Sequence, residues 1–233
     1  MTDSATHCWW SLFRTIGNVT VLHIDLTPHA QHEASALLWL HENELEDSCN
    51  YVHLSARRRF VLCRGALRAI LCGNLGCDNE RLTFGEHRYG KPFALVDAIR
   101  AQISFNVSHS GSHGLIAVAP GGQLGVDVEE LATRRDFDRL IEAAFGPNEQ
   151  SELKLERVRG EFRLFFKLWT VKEALIKALG TGLSLDPAAF EAPEEIRRGE
   201  TVGTFWFPQV PSVRWRVVDI GNEEFAAALA FAV

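Results

Sequence analysis

The apolar positions of this chain change period several times, from every second residue to every third or fourth. A period of two is typical of strands, and a period of 3.6 is typical of helices. Because the two patterns come in mixed order and do not alternate regularly, the sequence predicts an α+β fold. The predicted strands cover residues 19–26, 82–84, 92–95, 103–109, 115–119, 124–129, 204–207, 213–220 and 225–233. The predicted helices cover residues 30–46, 55–72, 136–145, 147–157 and 160–179.

A Pro-Gly-Gly turn at residues 120–122 lies near the middle of the 233 residues and divides the predicted elements into two sets. Each set has one long helix with several strands and is large enough for a small domain. We therefore expect an N-terminal α+β half, residues 1–120, and a C-terminal α+β half, residues 121–233. Their sequences show no clear repeat, so any symmetry between them is structural only.

One carboxylate interrupts the apolar stripe of the predicted helix at residues 160–179. At 100° per residue, Glu173 falls inside the stripe that contains Phe162 and Trp169. Lys177 lies at the edge of the same stripe. Burying a carboxylate is costly unless it is paired or holds a cation. Two interpretations stay open: an i,i+4 salt bridge from Glu173 to Lys177, or a functional carboxylate in a buried site.

Two further carboxylates share one face of the predicted strand at residues 124–129. Alternation places Asp127 and Glu129 on the face opposite the apolar residues, about 7 Å apart by the strand rise. This pattern is typical of a solvated outer face, or of a site for a hard cation such as Mg²⁺, which prefers oxygen ligands. Glu173 would complete such a ligand set.

A histidine ends the apolar row of the predicted strand at residues 103–109. His109 shares a face with Phe105 and Val107, so it is either a satisfied core histidine or a hydrogen-bond donor at the end of the strand. In the turn that follows, Gly111 has no side chain. A ligand could therefore approach the backbone there.

Basic residues in the first half are candidates for binding phosphate. Lys91, in the Tyr-Gly-Lys-Pro segment at residues 89–92, is explained by a surface turn or by a point charge for a phosphate. Arg57, Arg64 and Arg68 lie within about 40° of one another on a helix. They form either a solvated face paired with acidic residues or a phosphate-binding row.

Composition excludes several classes of protein. A net charge of −6 argues against a general nucleic-acid binder. The five cysteines are odd in number and scattered, which predicts reduced thiols in the cytoplasm. No apolar run near residue 1 has the length of a secretory signal or a membrane span. We therefore expect a cytoplasmic protein with no nucleic-acid or membrane partner.

Five motifs, in order, resemble those of the 4′-phosphopantetheinyl transferases of the surfactin-synthetase-activating, or Sfp, type. Each motif alone is modest, but their order and spacing from residue 89 to residue 184 make the match specific. The resemblance does not reach firmly into residues 1–50 or 185–233. The motifs are Tyr89-Gly-Lys-Pro92, Phe105-Asn-Val-Ser-His-Ser110, Gly125-Val-Asp-Val-Glu129, Phe166-Lys-Leu-Trp-Thr-Val-Lys-Glu-Ala-Leu-Ile-Lys177 and Gly180-Thr-Gly-Leu-Ser184.

The resemblance implies a fold and a reaction. Members of this family are pseudo-dimers of two similar α+β halves, with coenzyme A bound in the cleft between them. They transfer the 4′-phosphopantetheine group from coenzyme A to a serine of an apo acyl or peptidyl carrier protein. The reaction releases adenosine 3′,5′-bisphosphate and requires Mg²⁺. We therefore expect a monomeric holo-carrier-protein synthase.

The resemblance also implies roles for single residues. Asp127, Glu129 and Glu173 match the metal ligands, and Asp127 also counts as catalytic and as a coenzyme A contact. Glu173 matches the general base as well. Lys177 matches the lysine that contacts the pyrophosphate and stabilises the leaving group. The remaining matches to the coenzyme A site are Arg64, Lys91, Pro92, Asn106, Ser108 and His109.

The residues expected to bind the 3′-phosphate of coenzyme A depart from the family pattern. Many members carry a basic residue just before the aromatic residue that precedes the first-half helix, where this chain has Glu46-Asp-Ser-Cys-Asn-Tyr51. His109 matches the family histidine on the 3′-phosphate. Arg57 and Arg58 are the candidates to replace the missing basic residue.

Two other functions would use the same residues. A metal-dependent phosphohydrolase acting on a nucleotide or on coenzyme A would need an open path for water. A non-catalytic carrier-protein binder would be expected to lack Glu173 or Asp127, and both are present.

Overall fold

Three antiparallel sheets and seven α-helices build the part of the chain that this computed structural model describes, residues 8–131, 137–158 and 162–233. The predicted α+β class is confirmed. None of the helices in these ranges is long and apolar enough to cross a lipid bilayer. The strands are β1 (Trp10–Ile16), β2 (Val19–Asp25), β3 (Leu82–Glu86), β4 (Pro92–Val96), β5 (Ile99–Arg100), β6 (Ser104–Ser110), β7 (His113–Ala119), β8 (Leu124–Glu130), β9 (Val202–Phe205), β10 (Trp215–Asp219) and β11 (Phe225–Ala232). The helices are α1 (Ala30–Leu37), α2 (Glu42–Cys49), α3 (Leu54–Leu75), α4 (Phe137–Ala144), α5 (Pro147–Val158), α6 (Arg163–Leu179) and α7 (Glu194–Arg197).

Three strands of each four-stranded sheet repeat one topology, whereas the fourth strand joins opposite edges, β1 beside β2 and β9 beside β10. Their strand orders are β1-β2-β7-β6 and β8-β11-β10-β9. In each half a strand leads to the long helix, and a later hairpin returns to pair with that strand: β2, α3 and β6–β7 correspond to β8, α6 and β10–β11. This correspondence confirms the expectation of two similar α+β halves. The small sheet β3-β4-β5 is an addition to the first half, between α3 and β6.

Each long helix covers one face of its own sheet, and the two sheets pack against each other with their remaining faces. Leu62 of α3 and Leu175 of α6 are fully buried in the two helix–sheet cores. Val21, Val126 and Leu229 lie in the third core, between the sheets. Since burial of apolar surface is the main stabilising term in folding, this middle core joins the halves into one body.

Strand β8 packs closely on α6 because Gly125 has no side chain. A Cβ at Gly125 would overlap the backbone of Ala174 and Ala178. Helix α6 then ends at Gly180, which has the left-handed conformation (φ 78°) that favours glycine after a helix. The face of β8 that carries Asp127 is therefore buried against α6, and the alternative of a solvated outer face is wrong.

Several observed elements depart from the prediction, and two predicted helix starts cannot be compared. The helix predicted at residues 30–46 is two helices. The first helix ends at Leu37, and His41 caps the start of α2 in a capping box with Glu44. The sequence patterns do not predict β1, whose residues are only partly buried and so lack a clear apolar alternation. The predicted helix starts at residues 136 and 160 lie outside the described residues.

Candidate active site

Strands β6 and β8 lie side by side where the two sheets meet, and side chains connect them. Ser108 Oγ donates to Asp127 Oδ1 at 2.7 Å, and Ser110 Oγ donates to Glu129 Oε2 at 2.7 Å. The amide oxygen of Asn106 accepts a hydrogen bond from the backbone of β8 at 2.9 Å. We call this row of polar contacts the seam. It holds the carboxylates of the second half against the first half.

Lys177 reaches from α6 to the seam and binds Asp127. Its Nζ lies 2.6 Å from Asp127 Oδ1 and 3.0 Å from Ser108 Oγ. Asp127 is 4% exposed, and its Oδ2 has no hydrogen-bond partner. Burial raises the pKa of the Asp127 carboxyl, although the charge of Lys177 opposes this shift. The i,i+4 bridge from Glu173 to Lys177 is therefore not what occupies Lys177, whose partner is on β8.

Glu173 faces the same pair of carboxylates from α6. Burial raises the pKa of Glu173, and the negative charges of Asp127 and Glu129 raise it further, while Lys177 lowers it. Glu129 accepts a hydrogen bond from Trp169 Nε1 at 3.2 Å. The three predicted metal ligands are thus near enough for the charges of Asp127 and Glu129 to act on Glu173.

These carboxylates fit a hard cation in chemistry, although their side chains do not converge on one point. No three His, Cys, Asp or Glu side chains in the described residues approach closely enough to ligate one metal ion. However, the donors are all oxygens, which hard cations prefer. Asp127 Oδ2 is buried without a hydrogen-bond partner, and burial together with the charges of Asp127 and Glu129 raises the pKa of Glu173. A divalent cation would offset both the unpartnered oxygen and the repulsion between the carboxylates.

A cavity of about 340 Å³ opens beside the seam and is lined from both halves. Ser108 and Lys177 form its inner wall, and His109 lies exposed toward it. The alternative of a satisfied core histidine is therefore wrong. Neighbouring atoms desolvate the imidazole and lower the pKa of His109, and the charges of Arg59 and Lys177 lower it further. The lining residues are Phe60, Cys63, Arg64, Leu67, Pro92, Val107, Ser108, His109 and Lys177.

Two family models match this chain, and the matched segments together take in most of it. The model described as the 4′-phosphopantetheinyl transferase superfamily matches residues 123–230. The model described as the N-terminal part of 4′-phosphopantetheinyl transferase matches residues 26–121. The chain belongs to the 4′-phosphopantetheinyl transferase superfamily.

Similar proteins come from cyanobacteria and bacilli. A Synechocystis sp. protein, provisionally named as a 4′-phosphopantetheinyl transferase, is 38% identical over 147 residues, which cover 62% of this chain and 58% of that protein. The 4′-phosphopantetheinyl transferase HetI of Nostoc sp. is 34% identical over 62% of this chain and 61% of its own length. Sfp of Bacillus subtilis is 27% identical over 70% of each chain. The chain thus spans about 60% of the length of the first two curated relatives.

Two arginines of the predicted row, Arg64 and Arg68, have different surroundings. Arg68 is 1% exposed and donates to Glu44 at 2.7 Å and to Asn79 at 2.8 Å. Arg64 also donates to Glu44, at 3.1 Å, but its guanidinium reaches the cavity rim. Arg68 is thus paired with an acidic residue, as one interpretation expected, but it is buried and structural, so it belongs neither to a solvated face nor to a phosphate-binding row.

The structure adds Arg59 to the predicted site residues. Arg58 is occupied by an ion pair with Glu33 at 2.8 Å, whereas the charge of Arg59 acts on both His109 and Cys63. Helical spacing could have identified it, because Arg59 lies four residues before the cavity residue Cys63.

Two positions that were predicted to contact a ligand, Lys91 and Gly111, contact other residues of the protein in this structure. The Lys91 ammonium donates to the backbone carbonyls of Leu124 at 2.8 Å and Lys177 at 2.7 Å, and burial lowers the pKa of Lys91 to about 8. The space beside Gly111, which was expected to admit a ligand, is filled by the carboxylate of Glu130.

Lys172 braces the second half from within. It is fully buried and forms an ion pair with Glu149, which is also fully buried. It donates to the Phe190 carbonyl at 2.6 Å as well. The Glu149 carboxylate accepts the backbone N–H groups of Gly146 and Ala192. This pair ties α5 and α6 to the segment that follows α6, and nothing in the pattern around Glu149 predicts it.

Proposed function

We propose that this protein transfers the 4′-phosphopantetheine group from coenzyme A to a serine of an apo acyl or peptidyl carrier protein, as an Sfp-type enzyme. One observation carries the proposal: in a chain of this superfamily, Lys177 lines a cavity shared by both halves and binds Asp127, whose charge, with that of Glu129, acts on Glu173. Negative and positive groups are thus close together where a pyrophosphate could be bound and cleaved.

Asp127, Glu129 and Glu173 would hold Mg²⁺. When bound, the cation would neutralise charge on the pyrophosphate of coenzyme A. The raised pKa of Glu173 suits a general base at neutral pH, because a carboxylate of higher pKa accepts a proton more readily. Glu173 would take the hydroxyl proton of the carrier serine while the serine oxygen forms a bond to the β-phosphorus of coenzyme A.

Lys177 would stabilise the leaving group. As the new P–O bond forms, the bond from the same phosphorus to the bridging oxygen breaks, and adenosine 3′,5′-bisphosphate leaves with the bridging oxygen. The Lys177 ammonium, held 2.6 Å from Asp127, is placed to offset this growing negative charge.

The cationic rim of the cavity supports a site for the 3′-phosphate. We assign this phosphate contact to His109 and Arg64, because both line the cavity, and to Arg59, because its charge acts on His109; Arg58 does not line the cavity and is paired with Glu33. Pro92 lines the same cavity and would contact the adenosine end. Asn106 and Ser108 would act through the seam, Asn106 by aligning β8 and Ser108 by orienting Asp127.

A direct assay separates this function from hydrolysis and from carrier binding alone. The protein is incubated with coenzyme A, Mg²⁺ and a panel of apo carrier proteins, and each carrier is weighed by mass spectrometry. We expect a gain of one phosphopantetheine mass. Hydrolysed coenzyme A without any mass gain would favour a phosphohydrolase. The absence of both products would favour a non-catalytic binder.

We further propose that the protein is a cytoplasmic monomer whose two halves comprise residues 1–120 and 121–233.

A further inference from the structure

The side chain of Lys91 crosses from the first half to the second half and ends on backbone carbonyls. Lys91 follows a turn in which the His87 N–H donates to the Lys91 carbonyl at 2.9 Å and Gly90 has φ 79°. Its Nζ lies 2.8 Å from the Leu124 carbonyl, 2.7 Å from that of Lys177 and 3.3 Å from that of Ala178.

Those carbonyls belong to the two elements that carry the reactive groups. Leu124 is the first residue of β8, which bears Asp127 three residues later. Lys177 and Ala178 lie in the last turn of α6, where backbone carbonyls lack helical partners and the helix dipole is negative. A cation at this point satisfies those carbonyls and ties the start of β8 to the end of α6.

A lysine ammonium has three N–H groups, and three carbonyls surround this one. In this arrangement Lys91 has no donor left for a phosphate. Its buried stem packs against Gly180, the residue that ends α6. The contacts of Lys91 are thus those of a group that fixes backbone, whereas Arg64 and His109 line the cavity beside Lys177.

We infer that Lys91 is a positioning residue: it clamps the end of α6 to the start of β8 and thereby holds Lys177 against Asp127. The kinetic consequence rests on the proposed function, but the structural consequence does not. Loss of the ammonium should loosen the end of α6 and slow the chemical step, while coenzyme A still binds.

The test compares Lys91→Met, which keeps an unbranched stem but removes the ammonium, with Lys154→Met, which changes an exposed lysine on α5. Hydrogen exchange of the backbone amides at residues 176–180 is followed by mass spectrometry. Coenzyme A affinity is measured by calorimetry, and kcat is measured with saturating carrier and coenzyme A. For Lys91→Met we expect at least tenfold faster exchange at the end of α6, at least tenfold lower kcat and a coenzyme A Kd within threefold of wild type. Lys154→Met should match the wild type in all three.

A coenzyme A Kd weakened tenfold or more, with unchanged exchange at residues 176–180, would show that Lys91 binds the ligand and is not a clamp. If the wild type transfers nothing, the proposed function fails, yet the exchange comparison still decides the clamp. Should Lys91→Met not fold, Lys91→Gln, which keeps two N–H donors on a shorter stem, takes its place. It should show the same changes in a smaller degree, and wild-type exchange in Lys91→Gln would overturn the inference.

Discussion

The two halves of this protein share a topology but differ in the charges that they bring to the common cleft. The first half lines the cavity with His109 and Arg64, whereas the second half contributes Lys177, which binds the buried Asp127, and Glu173, whose pKa responds to both. Burial is the main cause of the pKa shifts of His109 and Glu173, and charges add to both. The charges of Arg59 and Lys177 lower the pKa of His109 further, while those of Asp127 and Glu129 raise the pKa of Glu173 further. The two halves thus bring basic and acidic side chains to the same region, and the proposed function assigns binding to the first set and chemistry to the second.

Both halves also bury an ion pair beneath their long helix, yet the pairs are built differently. In the first half, Glu44 is shared between Arg68 and Arg64. In the second half, Lys172 is the sole side-chain cation that binds Glu149 within the described residues. A shared carboxylate keeps a partner when one arginine is lost, whereas Glu149 would lose its only countercharge. The difference predicts unequal costs for equivalent substitutions.

The largest effect should follow from Glu173→Gln. Removing the base should lower the transfer rate by about 10²–10⁴-fold, the usual range for general-base catalysis. The fold should survive, because the substitution removes a charge that is costly to bury. Carrier mass gain under initial-rate conditions measures the loss, with Glu46→Gln, an exposed carboxylate on α2, as control. A rate within threefold of wild type would refute the assignment of Glu173.

The next effect sharpens the comparison of the buried pairs. Lys172→Met should destabilise the protein by about 3–5 kcal/mol, because it leaves Glu149 buried without a countercharge. Arg68→Met should cost less, since Glu44 keeps Arg64. Urea unfolding followed by circular dichroism gives both values. Equal losses would mean that sharing the carboxylate does not protect the first half.

A smaller effect is expected from His109→Ala. Loss of one hydrogen bond to a phosphate should weaken coenzyme A binding by about ten- to a hundredfold, in keeping with the ~1.5–3 kcal/mol of such bonds. Calorimetric titration with coenzyme A measures the change, and Glu173→Gln titrated in parallel should bind nearly as the wild type. Unchanged affinity in His109→Ala would remove His109 from the binding surface.

The last effect is confined to alkaline pH: a dependence of stability on pH that comes from Lys91. Its pKa is about 8 in the folded protein and 10.5 in its ordinary state, so between these values the unfolded chain binds more protons. The free energy of unfolding of the wild type, relative to Lys91→Met, should therefore rise with pH from about 8 to 10.5 and fall as the pH returns to 8. The slope should be about 1.4 kcal/mol per pH unit within this window. Urea unfolding of both proteins at pH 7.5, 9 and 10 tests it, and a pH-independent difference would contradict it.

Local patterns predicted the elements and the orientation of the site better than its contacts. The period of two in β8 correctly separated Val126, in the core between the sheets, from Asp127. The stripe on α6 correctly indicated a partly buried Glu173. The partner of Lys177 could not be predicted, because the helix pattern offers only neighbours four residues away and Asp127 lies fifty residues earlier. Contacts such as the seam depend on how the two halves pack, and the period of apolar residues within one element carries no information about that packing.

The most direct test of the division between the halves is a single-turnover measurement with rapid quenching, at saturating coenzyme A and carrier, on the wild type, His109→Ala and Glu173→Gln. We predict a transfer rate for His109→Ala within threefold of wild type, and a rate for Glu173→Gln at least a hundredfold lower. Equal loss of the chemical step in both variants would contradict the account in which one half binds and the other carries out the chemistry.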